Sequence, residues 1–144
     1  MASRVPLTLG GTVVATTGVL FLIDLFLPWH RTCVEVFSQG LCVQRAGWDG
    51  SFSLLAGLVV MALLAELVAV QVLRVGAPGL SGLSRLRPVL AGAVVVLVLL
   101  QLISGDDGLD RGYGLFTGLL LAVGLAYGTR LRTAEPAAPL VVHH

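Results

Sequence analysis

Residues 28–50, PWHRTCVEVFSQGLCVQRAGWDG, form the longest polar interruption between apolar blocks in this chain. They hold both cysteines, Cys33 and Cys42, and both tryptophans, Trp29 and Trp48. An apolar block of about 20 residues leads into them and another leads out. At 1.5 Å per residue, each is long enough to cross a ~30 Å hydrocarbon core. Long unbroken apolar blocks mark membrane spans, in contrast to the short periods of soluble strands and helices. The stretch therefore reads as a loop between two crossing helices.

Composition agrees. The 144 residues are 56% hydrophobic and only 12% charged, about half the charge that covers a typical soluble domain. A net charge of +1 and the lack of a basic patch with interleaved aromatics argue against a nucleic-acid partner. All nine bases are arginine, and the chain has no asparagine. The first feature fits a GC-rich genome, and the second leaves no N-glycosylation site.

Four helices are predicted, at about 7–28, 51–74, 88–104 and 113–129, in a single membrane domain over 1–132. Residues 133–144 are expected to be a disordered tail. A cleaved signal peptide competes for the first block, but the block is long and no small-x-small site follows it, so an uncleaved helix is expected. Pro28 should end that helix and leave Trp29 at the headgroup level. Pro88 suits the first turn of the third helix, after a loop with Gly76, Pro78 and Gly79. The last two helices are short, which calls for little tilt or a locally thin bilayer. Residues 105–112, GDDGLDRG, read as an acidic turn.

Arginine placement sets the expected orientation. Arg4, Arg74, Arg85, Arg87, Arg130 and Arg132 share one side. Arg31, Arg45 and Arg111 lie on the other, diluted by Glu35, Asp49, Asp106, Asp107 and Asp110. The positive-inside rule then places both termini in the cytoplasm of a multi-pass cell-membrane protein.

This orientation puts both cysteines outside, where disulfides persist. Val34, Val36, Leu41 and Val43 around Ser38-Gln39-Gly40 read as a hairpin. A Cys33–Cys42 bridge would brace it by about 2–3 kcal/mol of loop-closure entropy. Unpaired, lipidated or redox-active cysteines are the alternatives; a redox pair would favour the tighter Cys-x-x-Cys spacing.

Polar residues inside spans are functional candidates. Asp24 and Gln101 fall at similar depths near the outer ends of the first and third helices, so an interhelical hydrogen bond or access to interfacial water is expected, with a ligand or transport role as the alternative. Glu66 lies roughly 12 Å inside the second helix, flanked by Ala62, Ala65 and Ala69. With no base read at that depth, it is expected to be protonated and bonded to Thr12, Thr16 and Thr17. The alternative is a proton or cation relay. Gly114/Gly118 and Gly124/Gly128 form two G-x-x-x-G pairs, which serve either internal packing or an intermolecular face.

Catalytic patterns are missing. The sequence has no H-E-x-x-H, no G-x-S-x-G and no phosphate-binding glycine loop. His30 reads as interfacial. Asp106, Asp107 and Asp110 lack the EF-hand register, and His143 and His144 are terminal. Neither a cofactor nor a metal is expected.

Leu27-Pro28-Trp29 at the end of the first helix and Gly47-Trp48-Asp49 before the second resemble small four-helix membrane proteins of actinobacteria. The resemblance implies a fold but no activity. The layout is also similar to claudin-type proteins, but their Gly-Leu-Trp precedes the cysteines, whereas Gly47-Trp48 follows them here. No claudin role is carried over.

The sequence thus predicts an all-α membrane protein: a four-transmembrane-helix bundle with a short disulfide-braced extracytoplasmic hairpin. The expected role is a non-enzymatic accessory subunit of a larger membrane complex, or a self-associating bundle. Trp29, Phe37, Trp48, Gly114, Gly118, Gly124 and Gly128 are its candidate partner surface. The alternative is a small transporter or channel subunit using Glu66.

Overall fold

The structure is a computed structural model and describes residues 8–72, 80–104 and 110–135. Four helices dominate it: α1 Leu9–Asp24, α2 Ser51–Leu67, α3 Leu80–Ile103 and α4 Tyr113–Ala134. They close a ring in which α1 packs on α2 and α4, and α3 packs on the same two helices. α2, α3 and α4 contain segments long and apolar enough to cross a membrane, and α1, with 16 residues, is shorter.

Each helix buries one stripe at helical spacing. The stripe is Val14, Gly18, Phe21 and Asp24 on α1, and Ala56, Val60, Leu63 and Glu66 on α2. On α3 it is Ala91, Val94, Val98 and Gln101, and on α4 Gly118, Ala122, Leu125 and Arg132. The middles of these stripes are apolar or small, and their ends are polar. Leu54, Leu58, Val89, Val96, Phe116, Leu120 and Val123 lie exposed on the outside of the helices.

Four helix boundaries differ from those read in the sequence. α1 continues past Asp24 only through a tight turn, with Phe26 N–H donating to Ile23 O and Leu27 N–H to Asp24 O. α3 begins at Leu80, so Pro88 sits inside it and not at its first turn. Proline there leaves the Ser84 carbonyl without its helical donor. α4 runs five residues beyond 129, to Ala134, because its inward face continues through Thr129 to Arg132. Where the sequence read one helix to residue 74, α2 passes into a π-helical turn at Val68–Val72. Arg4, Arg74, Asp106, Asp107 and residues 136–144, with the two terminal histidines, lie outside the described residues.

The loop at 28–50 is a hairpin, β1 Pro28–Val36 and β2 Gln39–Ala46, which Asp110–Arg111 (β3) joins in the order β2-β1-β3. The acidic segment is therefore not wholly a turn: Asp110 and Arg111 pair with Arg31 and His30. Cys33 and Cys42 face each other across the hairpin and are joined by a disulfide. The register slips between Pro28 and His30. Such a bulge lets two successive side chains turn the same way, and Trp29 and His30 are both buried.

Candidate functional site

The ends of the buried stripes make two polar sites, one at each end of the helices. At the end away from the sheet, Glu66 of α2 is 5% exposed. Arg87 of α3 donates to its Oε1 through Nε at 3.0 Å and also through Nη2. Arg132 of α4 donates to its Oε2 through Nη1 at 2.9 Å. One carboxylate thus ties three helices together, with each oxygen held by a different guanidinium. Buried charge is tolerated in this geometry because hydrogen bonds replace the lost water.

This corrects the expected threonine partners of Glu66. The Thr12 hydroxyl donates to Thr8 O at 3.0 Å, the Thr17 hydroxyl to Val13 O at 2.6 Å, and Thr16 is exposed. A threonine in a helix readily bonds back onto its own previous turn. Both arginines lie outside the helices expected from the sequence at 88–104 and 113–129. Their signal was periodicity: Arg87 stands four residues before Ala91, and Arg132 seven after Leu125, each on its helix's buried stripe.

The same end carries Glu135, which sequence reading assigned to the tail. Its Oε1 accepts from Gly10 N–H at 2.7 Å, so the C-terminus of α4 caps the N-terminus of α1. Thr8, the N-cap of α1, accepts from Gly11 N–H at 3.2 Å. The bond from Gly10, then Thr8 and the nearby charge of Arg132, hold the Glu135 carboxyl below its ordinary range. α1 and α4 come very close here: a Cβ on Gly10 would lie 2.5 Å from Arg132 N.

At the sheet end, Trp29 is wholly buried. Its indole N–H donates to Asp24 O at 3.1 Å, and its ring meets Phe21 edge-on, with centroids 6.2 Å apart. A Cβ on Gly47 would lie 2.9 Å from the indole, one on Gly114 2.8 Å and one on Gly118 2.7 Å. Trp29 is thus a plug, not a headgroup anchor or a partner contact. The glycines of α4 are spent on the same packing: Gly118 also adjoins Asp24 Oδ2, Gly124 meets Thr17, and Gly128 meets Val13 and Val14. Of the expected partner surface, only Phe37, 97% exposed, stands clear. Trp48 is half-buried, edge-on to Phe26.

Asp24 and Gln101 do not bond to each other. Both Asp24 oxygens and Gln101 Oε1 are buried without a hydrogen-bond partner among the described residues. Asp24 lies against α4 at Gly118, whereas Gln101 lies against Gly50 at the start of α2. Ser53 completes this end by donating to Gly47 O and to Gly50 O, the latter at 3.0 Å. His30 is buried and not interfacial, and its Nε2 has no partner among the described residues.

No group of three or more His, Cys, Asp or Glu placed to hold a metal occurs among the described residues. No protein-family model, curated protein or solved structure matches the chain. The two short motifs nonetheless acquire a physical meaning. Trp29 needs the missing side chain of Gly47 beneath it, and Asp49 Oδ2 accepts from Ala46 N–H at 3.1 Å, closing the turn that brings Gly47 there.

Proposed function

We propose that all four helices cross a bilayer, with the sheet outside and both chain ends in the cytoplasm, and that the protein acts without catalysis by associating with another membrane protein or with its own copy. The observation that carries this reading is the inverted polarity of the helices. Large apolar side chains cover their outsides, while Glu66, Arg87, Arg132, Asp24 and Gln101 turn inward. In water that arrangement would expose a wide apolar surface. In lipid it is the favourable one. Among the described residues, the orientation is supported by Arg85, Arg87, Arg130 and Arg132 at one end, against Arg31, Arg45 and Arg111 mixed with Glu35, Asp49 and Asp110 at the other.

The association reading moves from α4 to α3. The apolar segment of α3 is 22% buried, against 39% for those of α2 and α4. Val89, Gly92, Val96, Leu99 and Ile103 share its outer face at spacings of three and four. A Cβ on Gly92 would meet nothing within 4 Å, so a helix of another molecule can approach there. A relay through Glu66 gains no support, since both its oxygens are engaged in holding helices. Step-counting by photobleaching in dilute liposomes tests the proposal. The wild type should self-associate, or associate with an added membrane partner, and Gly92→Leu should reduce this while keeping the thermal midpoint. A wild type that stays monomeric and unpartnered, together with ion flux that depends on Glu66, would favour the transport alternative.

A further inference from the structure

We propose that the β1–β2 hairpin is a lipid-seated paddle, lying with one face on the outer leaflet beside the helices. This rests on the membrane reading above and adds a second, interfacial contact that the helices do not make.

Alternation divides the hairpin into two unlike faces. One carries Thr32, Val34 and Val36 of β1 opposite Val43, Leu41 and Gln39 of β2. The other carries Arg31, Cys33 and Glu35 opposite Gln44, Cys42 and Gly40. Beyond its base pair, His30 with Arg45, the first face has no charged side chain. The second holds the charges and the disulfide.

Burial shows which way the first face turns. His30, at its base, is 5% exposed; Thr32 is half-buried; Val34 and Val36 are 52% and 47% exposed. The face is therefore covered at its base and loses that cover toward the tip. Phe26, Ile103 and Tyr113 carry the apolar exterior of the helices up to the same end, so a hairpin laid with its apolar face over that rim continues the lipid-facing surface of the bundle.

The tip supports the same occupant. Phe37 and Ser38 have φ of 51° and 64°, the conformation of a two-residue turn that normally takes Asn-Gly. A phenylalanine in that region is strained. Fold stability alone would not place it there. Its ring is 97% exposed, beside a shallow concavity lined by Val36, Gln39 and Leu41. An aromatic ring next to aliphatic side chains, with charge confined to the opposite face, suits the headgroup–acyl boundary.

The test uses tryptophan probes on the two faces of the full-length protein in nanodiscs, with brominated phospholipid as quencher. Leu41→Trp lies on the apolar face. Gly40→Trp lies on the other, where a Cβ meets nothing within 4 Å. Emission above the wild-type background should be lost on bromination for Leu41→Trp and retained for Gly40→Trp. Val43→Trp is the second apolar-face probe if Leu41→Trp misfolds. Retention at both faces would overturn the proposal and leave the apolar face to a protein partner; loss at both would overturn it in favour of an immersed hairpin. Alkaline carbonate extraction separates this from the membrane reading: a protein that stays in the pellet while both probes keep their emission refutes the paddle alone.

Discussion

Arg132 Nη1 and Glu66 Oε2 meet at 2.9 Å in the interior, joining residues 66 positions apart on α4 and α2. With Arg87 on the other oxygen, the carboxylate is the knot at one end of the helices. Removing Glu66 strands both guanidinium groups, and breaking a buried pair in this way costs about 3–5 kcal/mol. Glu66→Met should therefore lower the thermal midpoint in detergent sharply. Replacing Glu66, Arg87 and Arg132 together by methionine should recover most of that loss, because no charge is then left unpaired. If the triple variant is as unstable as Glu66→Met, the ion cluster is not what holds this end.

Much of this architecture is written in the sequence as hydrophobic blocks, and the hairpin as a pair of cysteines around a turn. What the sequence concealed was direction. Trp29 next to a helix end looks interfacial, and only the register slip at Pro28/His30 turns it inward over Gly47 and Gly118. Arg87 precedes a proline, which reads as a helix start, yet α3 extends back to Leu80. The partners of Glu66 were hidden because both arginines fell just outside the apolar blocks, and hydropathy counts composition, not facing. The buried spacing of Leu125, Thr129 and Arg132 was the available clue.

Gly118 and Gly92 should separate internal packing from free surface. A Cβ on Gly118 would lie 2.7 Å from the Trp29 ring and 2.8 Å from Asp24 Oδ2, whereas one on Gly92 meets nothing within 4 Å. Gly118→Val should destabilise by about 1–3 kcal/mol through overpacking. Gly92→Val should leave the midpoint nearly unchanged. Trp29 emission reports the distinction directly, shifting to the red for Gly118→Val as the indole leaves its pocket and staying fixed for Gly92→Val.

The disulfide should act locally. Cys33 and Cys42 lie on the exposed part of the hairpin, beyond the buried base at Trp29 and His30. The Cys33→Ser/Cys42→Ser variant should lose about 2–3 kcal/mol of hairpin stability by loop-closure reasoning. Amide exchange should accelerate from Thr32 to Val43 and stay slow in α2 and α4. Exchange that also rises at Val60 or Leu125 would show that the hairpin and the helices unfold as one unit.

Glu135 gives a pH dependence whose sign follows from its bonds. Its carboxylate accepts from Gly10 N–H at 2.7 Å, and a negative charge at the N-terminus of α1 is favoured by the helix dipole. Its pKa is thereby lowered from the ordinary value of 4.5, first by the bond from Gly10, then by Thr8 and the charge of Arg132. The folded state holds its proton less tightly than the unfolded state. The contribution is therefore present above that ordinary value and is lost as the pH falls through the lower, folded one. Protection factors at Gly10 should be flat near neutrality and fall on acidification, with α1 loosening from α4 at this end. Glu135→Gln should show reduced protection at neutral pH and no acid step. A wild-type acid step of the same size in the Gln variant would assign the titration to another group.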